Sequence, residues 1–152
     1  MKLTNKKNIK QEYIYKCKVV RIVDGDTIDV DIPMGFGITK TKQRCRSHGV
    51  DTPESRINTT KKGKKGYKKI INGKTLPERI REKELGLESK ARMKELCGKL
   101  VYVESLDGGK LDKYGRLLAN LYTLDGINIS ATLINEGLAI KYDGGRKKYV
   151  WV

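Results

Sequence analysis

The sequence predicts an α+β, mainly β fold: a five-stranded barrel of the OB type with two to three added helices. Three observations carry that expectation. About five short segments alternate apolar and polar residues with the period of two of a half-buried strand, turn signals containing Asp and Gly separate them, and an apolar stripe at helical spacing falls between the third and the fourth. The 152 residues suit one domain with its own core. Residues 1–152 are therefore read as a single unit with a polar N-terminal arm over 1–12, a basic insertion loop over 55–84 and a basic tail over 143–152.

In the first strand, Tyr13 to Val23, the β-formers Tyr15, Cys17 and Val19 alternate with Lys16 and Lys18. Asp24-Gly25-Asp26 turns the chain, and Ile28, Val30 and Ile32, alternating with Thr27, Asp29 and Asp31, bring it back as a paired second strand. Thr41 to Val50 forms a weaker third strand. Arg44, Arg46 and His48 share one of its faces, expected to look outward, and Cys45, Ser47 and Gly49 share the other. Pro53 cannot donate to a sheet and closes it.

From Ser55 to Glu84, eleven Lys or Arg stand against three Glu, and Gly and Asn interrupt any apolar period. That composition predicts a loop, with room for a short helix after Pro77. Leu87, Ala91, Leu96 and Cys97 then fit one stripe of a helix that Gly98 ends. Val101 and Val103 start a fourth strand, Asp107-Gly108-Gly109 turns, and Leu117, Ala119 and Leu121 alternate along a fifth. Ile129, Leu133 and Ile134 lie at helical spacing, with Asn128 or Ser130 as N-cap and Gly137 as the stop.

With 33 Lys and Arg against 18 Asp and Glu, a net charge of +15 favours a polyanionic partner, nucleic acid first. No basic amphipathic helix or long apolar run supports a membrane partner. The start of the chain lacks a secretory pattern, so an intracellular protein is expected, acting as a monomer. Cys17, Cys45 and Cys97 are odd in number and lack C-x-x-C spacing, which reads as free, buried thiols and not as a disulfide or zinc framework.

The chemistry lies in three short segments at strand ends or turns: Val23 to Thr27, Arg46 to Glu54 and Asp112 to Arg116. Phosphodiester hydrolysis needs both signs of charge. A hard cation such as Ca²⁺ takes carboxylate and carbonyl oxygens and polarises a phosphoryl oxygen, which Asp26, Asp51 and the Thr52 carbonyl could serve. Glu54 can take a proton from the attacking water. Arg46 and Arg116 can hold the phosphate oxygens as charge builds on them.

The set Asp26-Thr27, Arg46, Asp51-Thr52-Pro53-Glu54, Gly86-Leu87-Glu88, Asp112-Lys113-Tyr114-Gly115-Arg116 and Asn135-Glu136-Gly137-Leu138-Ala139 resembles the thermonuclease, or staphylococcal nuclease-like, family. The likeness runs from about Lys18 to Tyr142. It implies an OB-fold barrel with added helices and a Ca²⁺-dependent nuclease acting on DNA and RNA that leaves 3′-phosphate and 5′-hydroxyl ends. It makes Asp26 and Asp51 metal carboxylates, Thr52 a carbonyl ligand, Glu54 the general base, and Arg46 and Arg116 phosphate clamps. Lys113, Tyr114 and Tyr142 match substrate-binding positions.

Two departures stand out. Ser47 follows Arg46 where the family carries a leucine-like residue, and the basic stretch after Glu54 is longer than the family's loop. In that stretch Lys61, Lys62, Lys64, Lys65, Tyr67, Lys68 and Lys69 are candidates for a nucleic-acid clamp, the lysines on phosphates and the tyrosine on a base. His48 shares the predicted face of Arg46 but has no necessary part in a mechanism that already holds a base. The alternative is a noncatalytic OB-fold that only binds nucleic acid, although binding alone gives no chemical reason for the acids.

Overall fold

The computed structural model describes residues 12–57, 70–71, 73–145 and 151. The arm before Glu12, the candidate clamp Lys61, Lys62, Lys64, Lys65, Tyr67, Lys68 and Lys69, and most of the tail beyond Gly145 lie outside the described residues. Strands β1 (Ile14–Asp24), β2 (Thr27–Gly35), β3 (Ile38–Ser47), β7 (Leu100–Ser105) and β8 (Leu117–Tyr122) close into a barrel in the order β1-β2-β3-β8-β7. All neighbours are antiparallel except β3 and β8, which meet in parallel through Cys45↔Leu117, Arg46↔Leu118 and Ser47↔Ala119. Two short ladders complete the strands: β4 (Val50–Asp51) with β9 (Ile140–Lys141), and β5 (Ile70–Ile71) with β6 (Lys74–Thr75). The OB-type barrel, mainly β with helices α1 (Leu76–Cys97) and α2 (Ile129–Asn135), is thus as expected.

Period-two alternation decides which side chains fill the barrel. Ile28, Val30 and Ile32 of β2, Cys17 of β1, Cys45 of β3, Val101 and Val103 of β7, and Ala119 and Leu121 of β8 are all buried. Each large aliphatic in that set contributes about 1.5–3 kcal/mol by leaving water. Met93 and Cys97 of α1 and Ile129 and Leu133 of α2 extend the same core. The three cysteines are free and buried, and burial raises their thiol pKa values, to about 11 at Cys17 and about 12 at Cys45 and Cys97.

The helices correct two sequence expectations. The short helix allowed for after Pro77 is longer than expected and takes residues 76–84 out of the loop: α1 begins at Leu76, because Thr75 and Glu78 form a capping box, with Pro77 in the first turn. The buried stripe of α1 is also not Leu87 and Ala91. Leu87 is 47% exposed, while Arg79, Glu82, Gly86, Ser89, Met93 and Cys97 turn inward. The expected ends hold: Gly98 caps α1 with φ 56°, and the Asn128 side chain accepts from Ala131 N to start α2, which closes at Gly137. Among the described residues no helix is long and apolar enough to cross a membrane.

Candidate functional site

One end of the barrel opens into a cleft of ≈ 530 Å³. Its rim gathers the β1–β2 turn, the end of β3, the segment from β4 to Glu54, the β7–β8 connection at 112–116, and the chain after β9. Asp26, Arg46, Asp51, Glu54, Lys113, Tyr114, Arg116 and Tyr142, drawn from separated segments of sequence, all line it. Thr52 lies just behind Asp51 and is buried.

The first wall is a buried charge cluster. Arg46 Nη1 lies 3.3 Å from Asp26 Oδ2 and Arg46 Nη2 lies 3.3 Å from Asp51 Oδ1, so one guanidinium bridges both carboxylates. Arg46 is only 9% exposed, which corrects the outward-facing reading of that strand face. Alternation does point it away from the barrel interior, but the returning segment 50–54 covers that side. Asp26 is held further by Thr27 Oγ1 (2.8 Å) and Thr52 N (3.1 Å). Its neighbour Asp24 accepts from both Ser55 N and Ser55 Oγ. These bonds tie the β1–β2 turn to the 52–55 segment, about 26 to 31 residues away in sequence.

Helix α1 supplies the platform under this wall. A Cβ on Gly86 would lie 2.4 Å from Glu54 O and 2.7 Å from Pro53 O, and one on Gly25 would lie 2.8 Å from Ser89 Cβ. Only glycine lets the Gly86 backbone come so close to that of residues 53–54, and the Gly25 backbone so close to the Ser89 side chain. Glu82 Oε1 accepts from Glu54 N (3.4 Å) while Lys74 Nζ neutralises Glu82 at 3.1 Å, and Ser89 Oγ donates to Leu138 O at 2.6 Å. The helix buries small and polar groups here because it supports a polar loop. Glu82, Gly86 and Ser89 make these contacts, and their placement had only one visible signal: a stripe at helical spacing that is polar where a core helix would be apolar.

The second wall is a self-contained turn. Asp112 accepts from Tyr114 N (2.8 Å), Arg116 N (2.9 Å) and Arg116 Nε (2.8 Å). Partial burial acts to raise the Asp112 pKa, but the bonds from Arg116 and Tyr114 outweigh it and the net shift is downward. Tyr114 is 69% exposed, with Lys113 Nζ and Arg116 Cζ each 5.1 Å from its ring centroid. Tyr142 closes the cleft from the far side: its N–H donates to Gly49 O (3.0 Å) and its hydroxyl to Gly145 O (2.6 Å). His48 is exposed on the rim.

The donors facing the cleft fit a hard cation. Asp26 and Asp51 already converge on one positive centre; behind them, off the cleft lining, Thr52 carries a buried Oγ1 without a hydrogen-bond partner among the described residues. Among those residues no three His, Cys, Asp or Glu side chains form a ready-made cage. An ion here would therefore complete its shell with backbone carbonyl and water oxygens, as calcium sites commonly do.

Comparison with known proteins bears on this geometry. The profile of the staphylococcal nuclease homologue family matches residues 44–149. An uncharacterized protein of Methanocaldococcus jannaschii is 35% identical over 138 residues, covering 90% of this chain and 60% of that protein. Endonuclease YncB of Bacillus subtilis is 37% identical over 131 residues, covering 85% of this chain and 49% of the relative. An uncharacterized endonuclease of Escherichia coli is 25% identical over 126 residues, with coverages of 83% and 60%. The chain thus spans 49–60% of the length of these three relatives.

Proposed function

The chain belongs to the staphylococcal nuclease homologue family, and on that premise we propose that it is a calcium-dependent nuclease of DNA and RNA. The observation that carries the reading is the convergence of two buried carboxylates on Arg46, with Glu54 and the Asp112–Arg116 turn around the same cleft. The +15 charge supports a polyanionic substrate, and the chain is proposed to act as a monomer.

In this proposal Asp26, Asp51 and the Thr52 carbonyl hold Ca²⁺, which when bound supplies Lewis-acid polarisation of a phosphoryl oxygen. Glu54 takes a proton from a water positioned in line with the scissile bond. The water oxygen bonds to phosphorus and the P–O5′ bond breaks. The phosphate stays on the 3′ side, and the leaving 5′ oxygen takes a proton from solvent. Arg46 and Arg116 hold the equatorial oxygens through the transition state, remaining charged throughout. Tyr114, with Lys113 over its ring, offers a stacking face for a base, and Tyr142 bounds the opposite side. Lys61, Lys62, Lys64, Lys65, Tyr67, Lys68 and Lys69 are proposed to add a clamp on the phosphate backbone.

The test compares single-stranded DNA, duplex DNA and RNA with Ca²⁺ or chelator, beside Glu54→Gln. Expected are chelator-sensitive cutting and a loss of about 10²–10⁴-fold in the variant. Titration calorimetry of Asp51→Asn should lose the Ca²⁺ heat seen with the unaltered chain. Folded protein that binds DNA without any metal-dependent cutting would favour the noncatalytic binding module instead.

A further inference from the structure

The β2–β3 hairpin outgrows the barrel. On β2, pairing with β1 reaches only as far as Lys18↔Asp31, and β3 meets β8 only at 45–47. The intervening ribbon continues to a two-residue turn at Phe36-Gly37, flanked by the pair Gly35↔Ile38. Every residue from Pro33 to Lys42 is exposed. Phe36 is the chain's one phenylalanine and is fully exposed, with Met34 and Ile38 beside it at 44% and 61%.

The backbone at the tip is strained as well. Phe36 has φ 54° and Gly37 φ 74°, the pair of positive values that marks a type I′ turn, where Asn-Gly is the favoured sequence. A bulky aromatic at φ > 0 is a steric outlier. Neither burial nor local conformation accounts for a phenylalanine here, and a two-stranded ribbon gains no core from it.

The charge beside the tip indicates what the ring would meet. No Asp or Glu occurs from Ile32 to Val50, whereas Lys40, Lys42, Arg44 and Arg46 follow one another at every second residue from near the tip to the cleft. Asp29 and Asp31 on β2 do face this row: Asp29 is ion-paired with Arg44 at 2.8 Å, and Asp31 accepts from Lys42 N at 2.8 Å. Lys40 and Lys42 are the cations nearest the apolar tip in sequence, and both are exposed.

We infer that the hairpin tip is a second nucleic-acid contact, in which Phe36 stacks on or wedges between bases while Lys40 and Lys42 hold the flanking phosphates. The inference rests on the proposed nuclease reading and extends it to substrate length. Basic residues beside an exposed aromatic are the combination by which proteins grip nucleic acid without reading its sequence. Phe36 lies nine residues from Thr27 at the cleft, which at about 3.3 Å per strand residue is at most roughly 30 Å. Duplex DNA rises about 3.4 Å per step, so the tip would meet a strand no more than about nine base pairs from the scissile bond. A tetranucleotide, with three steps of about 3.4 Å, is expected to fall short of it.

The test is Phe36→Asn, which removes the ring and installs the turn residue that the backbone favours, so folding should be preserved or improved. Cleavage is measured on a tetranucleotide reporter and on a 30-base-pair duplex. The expected result is an unchanged tetranucleotide rate and a KM for the duplex raised on the order of ten-fold. A second variant, Phe36→Trp, should show a fluorescence change on adding the duplex and none with the tetranucleotide. Unaltered duplex KM in Phe36→Asn overturns the inference while leaving the nuclease reading intact. So does a Phe36-dependent dimer in sedimentation with duplex KM unchanged. If the unaltered chain neither binds nor cuts either substrate, the nuclease reading fails and the inference falls with it.

Discussion

Each wall of the cleft is an Asp–Arg arrangement, yet they are built by opposite means. On one side Arg46 is buried between Asp26 and Asp51, and the three side chains come from a turn, a strand and a short return segment held down by α1. On the other, Asp112 and Arg116 are four residues apart, with side chains about a quarter exposed, and nearly all their bonds are internal to one turn. A buried pair loses most of its Coulombic gain to desolvation and becomes costly when one partner is removed. An exposed pair contributes little either way. Equal chemistry can therefore rest on very unequal stability.

Arg46→Ala separates the two walls most sharply. Activity should fall about 10²–10³-fold, as for removal of one transition-state donor, and without metal the protein should lose about 3–5 kcal/mol in urea unfolding, because two buried carboxylates are left facing each other. Added Ca²⁺ should return part of that loss. Arg116→Ala should cost a similar factor in activity but less than about 1 kcal/mol in stability. Equal stability losses in the two variants would break the comparison.

Gly86→Ala tests the platform under the buried wall. Its new Cβ would press on the Pro53 and Glu54 backbone, and overpacking of this kind costs about 1–3 kcal/mol. A displacement of Glu54 should lower kcat at least ten-fold with little change in KM; a fall in stability with kcat untouched would deny α1 a part in positioning Glu54.

Smaller effects belong to the exposed wall and to the seam between the two. The folded pKa of Asp112 lies below its ordinary value, so its turn adds stability above the unfolded carboxylate pKa, and that increment is lost as pH falls toward and through the folded value. Carboxyl NMR titration should place its midpoint below the ordinary value of 3.8, and Arg116→Ala should move it up. Cys45 sits at the seam, where β3 meets β8. With Cys17 at about 11 and Cys45 and Cys97 at about 12, no thiol of the native protein should react with a disulfide reagent at pH 8, and all three should react in urea.

The exposed wall was legible in advance because its turn chemistry is local: Asp112 reaches only to residues two and four positions on. The barrel strands were legible for a similar reason, since period-two alternation in β2 and β8 is a property of neighbouring residues. The start of α1 was also written locally, as Thr75-Leu76-Pro77-Glu78, but the surrounding lysines masked that capping box. In contrast, the outward reading of Arg46 and the stripe through Leu87 failed. Both depended on which distant segment comes to cover a face.

By itself the sequence determined the barrel, its turns, and the acids and arginines that the cleft would hold, because alternation, caps and turn preferences act over a few residues. Only the tertiary structure decided that Arg46 is buried between two carboxylates, that Gly86 admits the Glu54 backbone against α1, and that Phe36 stands in water. Burial and close approach are relations between segments far apart in the chain. Nothing in the local pattern of either partner carries them.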